Sequence, residues 1–198
     1  MKNKSMTTYQ LTLTGVMTAV ICILGPMTVA IPISPVPISL ANLAICLSIT
    51  ILGLKFGTLS CILYLLIGLI GLPVFSGFTG GIGKLAGPTG GYLVGYLFLS
   101  LIGGFFVERF CGKGLEQRMV QGLGLLLGTV ILYAFGTVWL AYMAGMSFPE
   151  ALAAGVLPFI PGDFAKIFLT LLIGPEIRTR LIQAGYLNLS MMVKERQA

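Results

Sequence analysis

Two ionisable residues, Asp163 and Lys166, stand three apart in "PGDFAKIFLTLLIGPE" (161–176), at the mouth of an apolar run. On a helix, residues i and i+3 share a face, and a rise of about 1.5 Å per residue sets these two ~4.5 Å apart along the axis. An ionised carboxylate only accepts hydrogen bonds, and an ammonium only donates them. Together they make a bipolar clamp for a compound that presents a donor beside an acceptor, as a cyclic urea or amide does. The plain structural alternative is an intrahelical ion pair that lowers the cost of holding two charges in or near lipid. "PG" before Asp163 also makes it a candidate N-cap.

A second group of residues lies in "GFTGGIGK" (77–84) and "LAGPTGGYLVGY" (85–96). "GIGKL" hints at a phosphate-binding loop, but Phe78 stands where that motif needs Gly and Leu85 where it needs Ser or Thr. Gly81-x-Gly83-x-x-Ala86 imitates a dinucleotide fingerprint without a strand before it. Two readings remain for Gly80, Gly90 and Gly91: backbone that approaches a ligand, or helix packing through small residues such as Gly91-xxx-Gly95. Lys84 is either a partner for an anionic group or a solvated loop lysine. In "TGVMTAV" (14–20), Gly15 and Ala19 are four apart, which suits a close helix contact, and spacing alone favours an internal one.

The elements that must position these residues are membrane helices. The chain of 198 residues is 57% hydrophobic and 9% charged, against about 25% charged in soluble domains. It is read as one membrane-embedded domain over 1–198. Six apolar stretches near 9–25, 39–54, 56–72, 89–110, 119–145 and 162–183 predict an all-α protein with six transmembrane helices. Only "GLKFG" parts the second from the third, which fits a tight hairpin. The basic start "MKNKSMTTYQ" and the apolar stretch after it resemble a signal peptide, but no small-x-small cleavage site follows, so a retained first helix is expected.

The net charge of +6 raises nucleic acid as a partner, but the basic residues are scattered over short loops rather than gathered in a stripe. One set of loops holds Lys2, Lys4, Lys55, Arg109, Lys113, Arg118, Arg178, Arg180, Lys194 and Arg196; the other holds Lys84 and Lys166. That asymmetry predicts both termini cytoplasmic. The outward connections are long, apolar and rich in Pro and Gly, as expected of loops that roof a pocket on the outer side. With six acids and no His, the chain has little acid–base equipment, so an enzyme is not expected; a membrane scaffold stays open as an alternative. Cys22, Cys46, Cys61 and Cys111 lie in or beside apolar runs without a CxxC pair and read as inert thiols. No cofactor is expected.

"SPVPISL", "GGIGKLAGPTGGYLVGY" and "PGDFAKI", in that order, resemble the BioY family over nearly the whole chain. "GPTGGY" and "PGDxxK" are the specific pieces. The family comprises the substrate-binding subunits, or S-components, of energy-coupling-factor biotin transporters. The resemblance implies a multi-pass protein of the cell membrane that captures biotin from outside. It would work with a transmembrane coupling protein and two ATPase subunits of a shared energising module, and would topple in the membrane as these cycle. It implies docking to those partners through Gly15 and Ala19. Asp163 would accept a ureido N–H, and Lys166 would donate to the ureido oxygen or reach the carboxylate. Thr79, Gly80, Lys84, Gly90 and Gly91 would approach the ligand. Phe75, Phe78, Tyr92 and Phe159 would wall it. A Gln that the family often carries soon after "VPxxL" is replaced here by Ala41 and Asn42, so a polar contact is lost there or moved to Asn42. A subunit for another vitamin, such as thiamine, is the nearest rival, although Lys166 disfavours a cation.

Overall fold

The structure is a computed structural model and describes residues 7–30, 32, 34–110 and 114–187. Lys2, Lys4, Cys111, Lys113, Lys194 and Arg196 lie outside the described residues. Helix α1 (Thr8–Leu24) opens on a capping box in which Thr7 and Gln10 satisfy each other's backbone amides. A two-residue antiparallel ladder follows, β1 (Thr28–Val29) against β2 (Ile38–Ser39). It is the small departure from an all-helical chain. The remaining helices are α2 (Ala41–Ile70), α3 (Ile82–Leu85), α4 (Gly90–Arg109), α5 (Leu115–Ala144), α6 (Phe148–Gly155) and α7 (Ile160–Gln183).

By length and hydropathy, α2, α4 and α5 suffice to cross a membrane, and α6 with α7 make a fourth candidate bent by 48°. Helix α1 is apolar but shorter. The run α2 is not straight. Gly53 sits at φ 84°, ψ −174°, which is open to glycine and rarely to other residues. A methyl group added at Gly57 would lie 2.6 Å from the Ile49 Cα. Eight residues apart on one straight helix, these positions would be about 12 Å apart. The chain therefore doubles back at Gly53, and α2 is a hairpin of two arms, 41–52 and 54–70. The reversal needs one glycine, so Lys55 and Phe56 belong to the second arm rather than to a loop.

Contacts then fix the direction of each helix. Ser60 donates to the Thr14 carbonyl at 3.2 Å, laying the second arm of α2 along α1. Cys61 Sγ reaches the Tyr96 carbonyl at 3.6 Å, joining that arm to α4. Gly95 abuts Leu132 and Gly128 abuts Leu99, an antiparallel pairing of α4 with α5 in which both helices use glycine to approach closely. Gly174 of α7 abuts Thr50 on the first arm of α2. The core between them holds Ile21, Ile45, Ile49, Tyr64, Leu99 and Leu125, all essentially inaccessible. Large apolar side chains cover the outside as well, among them Leu66, Phe105, Val130, Val138 and Phe168. A bundle apolar on both its inner and outer surfaces has lipid as its solvent.

The topology collects three connections at one end of the bundle: 25–40, 71–89 and 145–159. Two contain helices that their Pro and Gly content conceals. Helix α6 starts on a capping box of Ser147 with Glu150 and a Pro in its first turn. The Gly53 turn, the end of α4 and the start of α5 lie at the other end. Lys55, Arg109, Arg118, Arg178 and Arg180 are all on that far side, away from Lys84 and Lys166.

Candidate functional site

Helix α7 begins at Ile160, and the Pro in its first turn gives up no helical hydrogen bond. The Asp163 amide already donates to the Phe159 carbonyl at 2.8 Å. Asp163 is thus one turn inside the helix and not its N-cap; the helix starts earlier because Pro161 is compatible with a first turn. Its carboxylate turns inward, and the residue is 6% exposed.

Three elements, α7, α5 and β2, converge on the Asp163–Lys166 pair. Lys166 Nζ donates to Oδ1 at 2.8 Å from one turn along α7. The hydroxyl of Tyr133, from the middle of α5, donates to Oδ2 at 2.6 Å. Lys166 also donates to the carbonyl of Ser39, at the end of β2, at 2.8 Å. Burying a charge costs heavily unless it is paired and hydrogen-bonded, and here each charge has two partners.

Asp163 and Lys166 border a cavity with about 60 Å³ of accessible space beneath the three connections. Asn42 and Tyr92 border it with them, as do Ser39, Ser76, Thr89 and the rings of Tyr64, Tyr96 and Tyr133. Phe159 supplies an apolar wall. Tyr92 donates to the Gly155 carbonyl at 2.7 Å, so α4 holds the C-terminal end of α6 over the cavity.

Other expected residues sit elsewhere. Phe75 is fully buried behind the cavity wall, edge-on to Tyr64 with ring centroids 5.5 Å apart. Phe78 is 69% exposed at a loop tip. Thr79 pairs with Phe75 in an isolated bridge and donates its hydroxyl to the Ser76 carbonyl at 3.0 Å. Gly80 lies against the Leu72 carbonyl. Gly90 packs on the Leu85 carbonyl and Gly91 on Trp139, so for these two the packing reading describes the geometry. Lys84 is half-buried in α3 outside the cavity lining, and burial pulls its ammonium below the ordinary value.

Gly15 and Ala19 are exposed on α1, and among the described residues nothing lies within 4 Å of a methyl group added at Gly15. The internal contact that spacing favoured is absent; α1 packs through Thr14, Met17, Thr18 and Ile21. Sequence reasoning missed Tyr133, Ser39, Ser76, Thr89, Tyr64 and Tyr96. Tyr133 had a usable signal, since a phenol inside an apolar run usually finds a polar partner when buried.

Fold and site together define an integral membrane protein of helices, with a small-molecule cavity that is apolar in body and ionic at one wall. The sequence profile of the BioY family matches residues 1–183, and the chain belongs to that family. It is 36% identical over 187 residues to the biotin transporter BioY of Rhizobium etli, covering 91% of this chain and 96% of that one. The biotin transporter BioY of Rhodobacter capsulatus is 38% identical over 177 residues, covering 84% and 91%. The crystal structure of the S-component for biotin from an ECF-type ABC transporter superposes with a TM-score of 0.79 at 34% identity, covering 88% of this chain and 95% of that one.

Proposed function

We propose that this protein is the biotin-capturing S-component of an ATP-driven vitamin transporter in the cell membrane. The hydrogen-bonding capacity left at the ion pair carries the reading. An ammonium has three N–H donors and a carboxylate about four acceptor positions. Lys166 spends two donors on Asp163 and Ser39, and Asp163 spends two acceptor positions on Lys166 and Tyr133. One donor and spare acceptor positions remain side by side at the cavity wall. A ureido group offers an oxygen to the first and an N–H to the second. The aromatic lining suits the fused rings, and Asn42 is a further polar contact within reach of the cavity.

Six passes account best for the alternating helix directions: α1, the two arms of α2, α4, α5 and α7. An even number puts both termini on one side, and the basic residues at the end away from the cavity favour the cytoplasm for it. The cavity then opens outward. The exposed Gly15 and Ala19 form the small-residue face by which α1 docks on a transmembrane coupling protein, with two ATPase subunits driving the cycle.

Calorimetric titration of the purified protein in detergent, with biotin and with thiamine as control, tests the proposal. One-to-one binding of biotin alone is expected. No heat and no thermal shift with biotin in a folded sample would overturn it.

A further inference from the structure

The polarity of the cavity at Asn42 is set from behind. Asn42 lies in the first turn of α2, borders the cavity and is 4% exposed. One turn further along the same face, the Cys46 thiol donates to Asn42 Oδ1 at 3.6 Å. An Asn side chain carries an acceptor oxygen and a donor nitrogen of nearly the same shape. The thiol breaks that symmetry, because it engages the oxygen and leaves the nitrogen on the other side. Among the described residues Nδ2 has no protein acceptor, yet it is not sealed as the unpartnered hydroxyls of Ser48 and Thr89 are. The accessible space that Asn42 meets is the cavity, so its N–H donors are aimed there. A buried amide nitrogen calls for a partner, and the partner it fits is an acceptor.

Position says which acceptor. Asn42 stands three residues beyond Ser39, whose carbonyl Lys166 reaches at 2.8 Å. Cys46 is close enough to Asp163 and Lys166 to feel both charges. Asn42 and the ion pair therefore serve the same end of the cavity. A carbonyl oxygen has two lone pairs, and Lys166 has one donor left for it.

We infer that Cys46 is a positioning residue that holds Asn42 as a donor, and that Asn42 joins Lys166 in a two-donor seat for the ureido oxygen. The inference rests on the biotin reading. It gives the site a rule of selection: the ligand must present an acceptor beside an N–H, with the N–H going to Asp163. A cyclic urea meets that rule. A protonated cyclic guanidine does not, because it brings N–H groups to a place already lined with donors. An Asn42 amide turned the other way would offer the guanidine an acceptor, and the thiol disfavours that turn. A thiol is a weak donor, so its part is to choose between two orientations of the amide.

The test titrates the full chain in detergent, at neutral pH, with biotin and with iminobiotin, in which a cyclic guanidine replaces the urea. The wild type should prefer biotin. Asn42→Leu removes the donors at similar volume and should weaken biotin by about 2- to 12-fold, the range for a neutral hydrogen bond, while leaving iminobiotin nearly unchanged. Cys46→Ala frees the amide to turn and should narrow the preference for biotin. Cys46→Ser keeps a donor and should lie nearer the wild type than Cys46→Ala does. In an Asn42→Leu background, Cys46→Ala should narrow the preference no further. Equal wild-type affinity for the two ligands would overturn the seat whether or not any variant folds. So would an Asn42→Leu protein that loses both ligands alike, or neither. An equal effect of Cys46→Ala with and without Asn42 would return the thiol to packing. A wild type that binds neither ligand would instead sink the biotin reading on which the inference rests.

Discussion

Tyr133 and Asp163, on different helices and thirty positions apart, are joined by a 2.6 Å hydrogen bond in which the phenol donates to Oδ2. Lys166 approaches the other oxygen, so the carboxylate is held from both sides and cannot rotate freely. The bond also fastens α5 to α7 at the level of the cavity. On the proposed reading, a ligand N–H meets an acceptor whose direction is already set, which lowers the ordering cost of binding.

Replacing Tyr133 with Phe removes that donor and little volume. A hydrogen bond to a charged group contributes about 1.5–3 kcal/mol, and biotin affinity should fall within the corresponding range of fold-changes. A double-mutant cycle separates orientation from packing. If Tyr133 acts through the carboxylate, Tyr133→Phe should lower the unfolding temperature almost no further in an Asp163→Asn background; additive losses of stability would assign the residue to packing alone.

Asp163→Asn should abolish binding and also lower the unfolding temperature. Removing one member of a buried ion pair strands the other charge, at a cost of about 3–5 kcal/mol. Asp163→Asn combined with Lys166→Met removes the stranded ammonium, so stability should return while binding does not. Thermal unfolding of both variants beside calorimetry checks the separation. Recovery of binding in the double variant would deny the pair its part in recognition.

Much of this architecture was legible in the sequence because its signals are local. Apolar stretches of membrane length, with Pro and Gly at the breaks, located the long helices to within a few residues, while α3 and α6 escaped notice. The i, i+3 spacing put Asp163 and Lys166 on one face before any packing was known. Contacts between distant segments were not legible. Tyr133 meets Asp163 only because α5 and α7 are neighbours, and Ser39 meets Lys166 across 127 positions. Gly91 and Gly95 read equally well as ligand approach or as packing until Trp139 and Leu132 were found against them. Nor does spacing say which way a small-residue stripe points, so Gly15 and Ala19 were ambiguous until the inward face of α1 was known.

The hairpin at Gly53 depends on how closely its arms approach, and Gly57 sets that approach. A side chain there would meet Ile49 backbone, which cannot swing aside as a rotamer can. Gly57→Leu should therefore sharply reduce the yield of folded protein, measured as the monodisperse fraction after extraction. Gly83→Ala is the control, since among the described residues nothing lies within 4 Å of the added methyl group. A well-folded Gly57→Leu protein with unchanged unfolding temperature would rule out the tight turn.

Gly15 offers the opposite experiment, because among the described residues nothing lies within 4 Å of a methyl group added there. Gly15 and Ala19 face outward and α1 packs through other residues, so Gly15→Leu should leave both fold and biotin affinity at wild-type values. Helix propensity favours the change, Leu being a better helix former than Gly by roughly 1 kcal/mol at most. What the added side chain alters is how closely a second helix can approach α1. Co-purification with the coupling protein and ATPases should fall, and with it ATP-dependent biotin uptake in cells that express all the components. Undiminished uptake and co-purification with Gly15→Leu would move the docking surface off this face of α1.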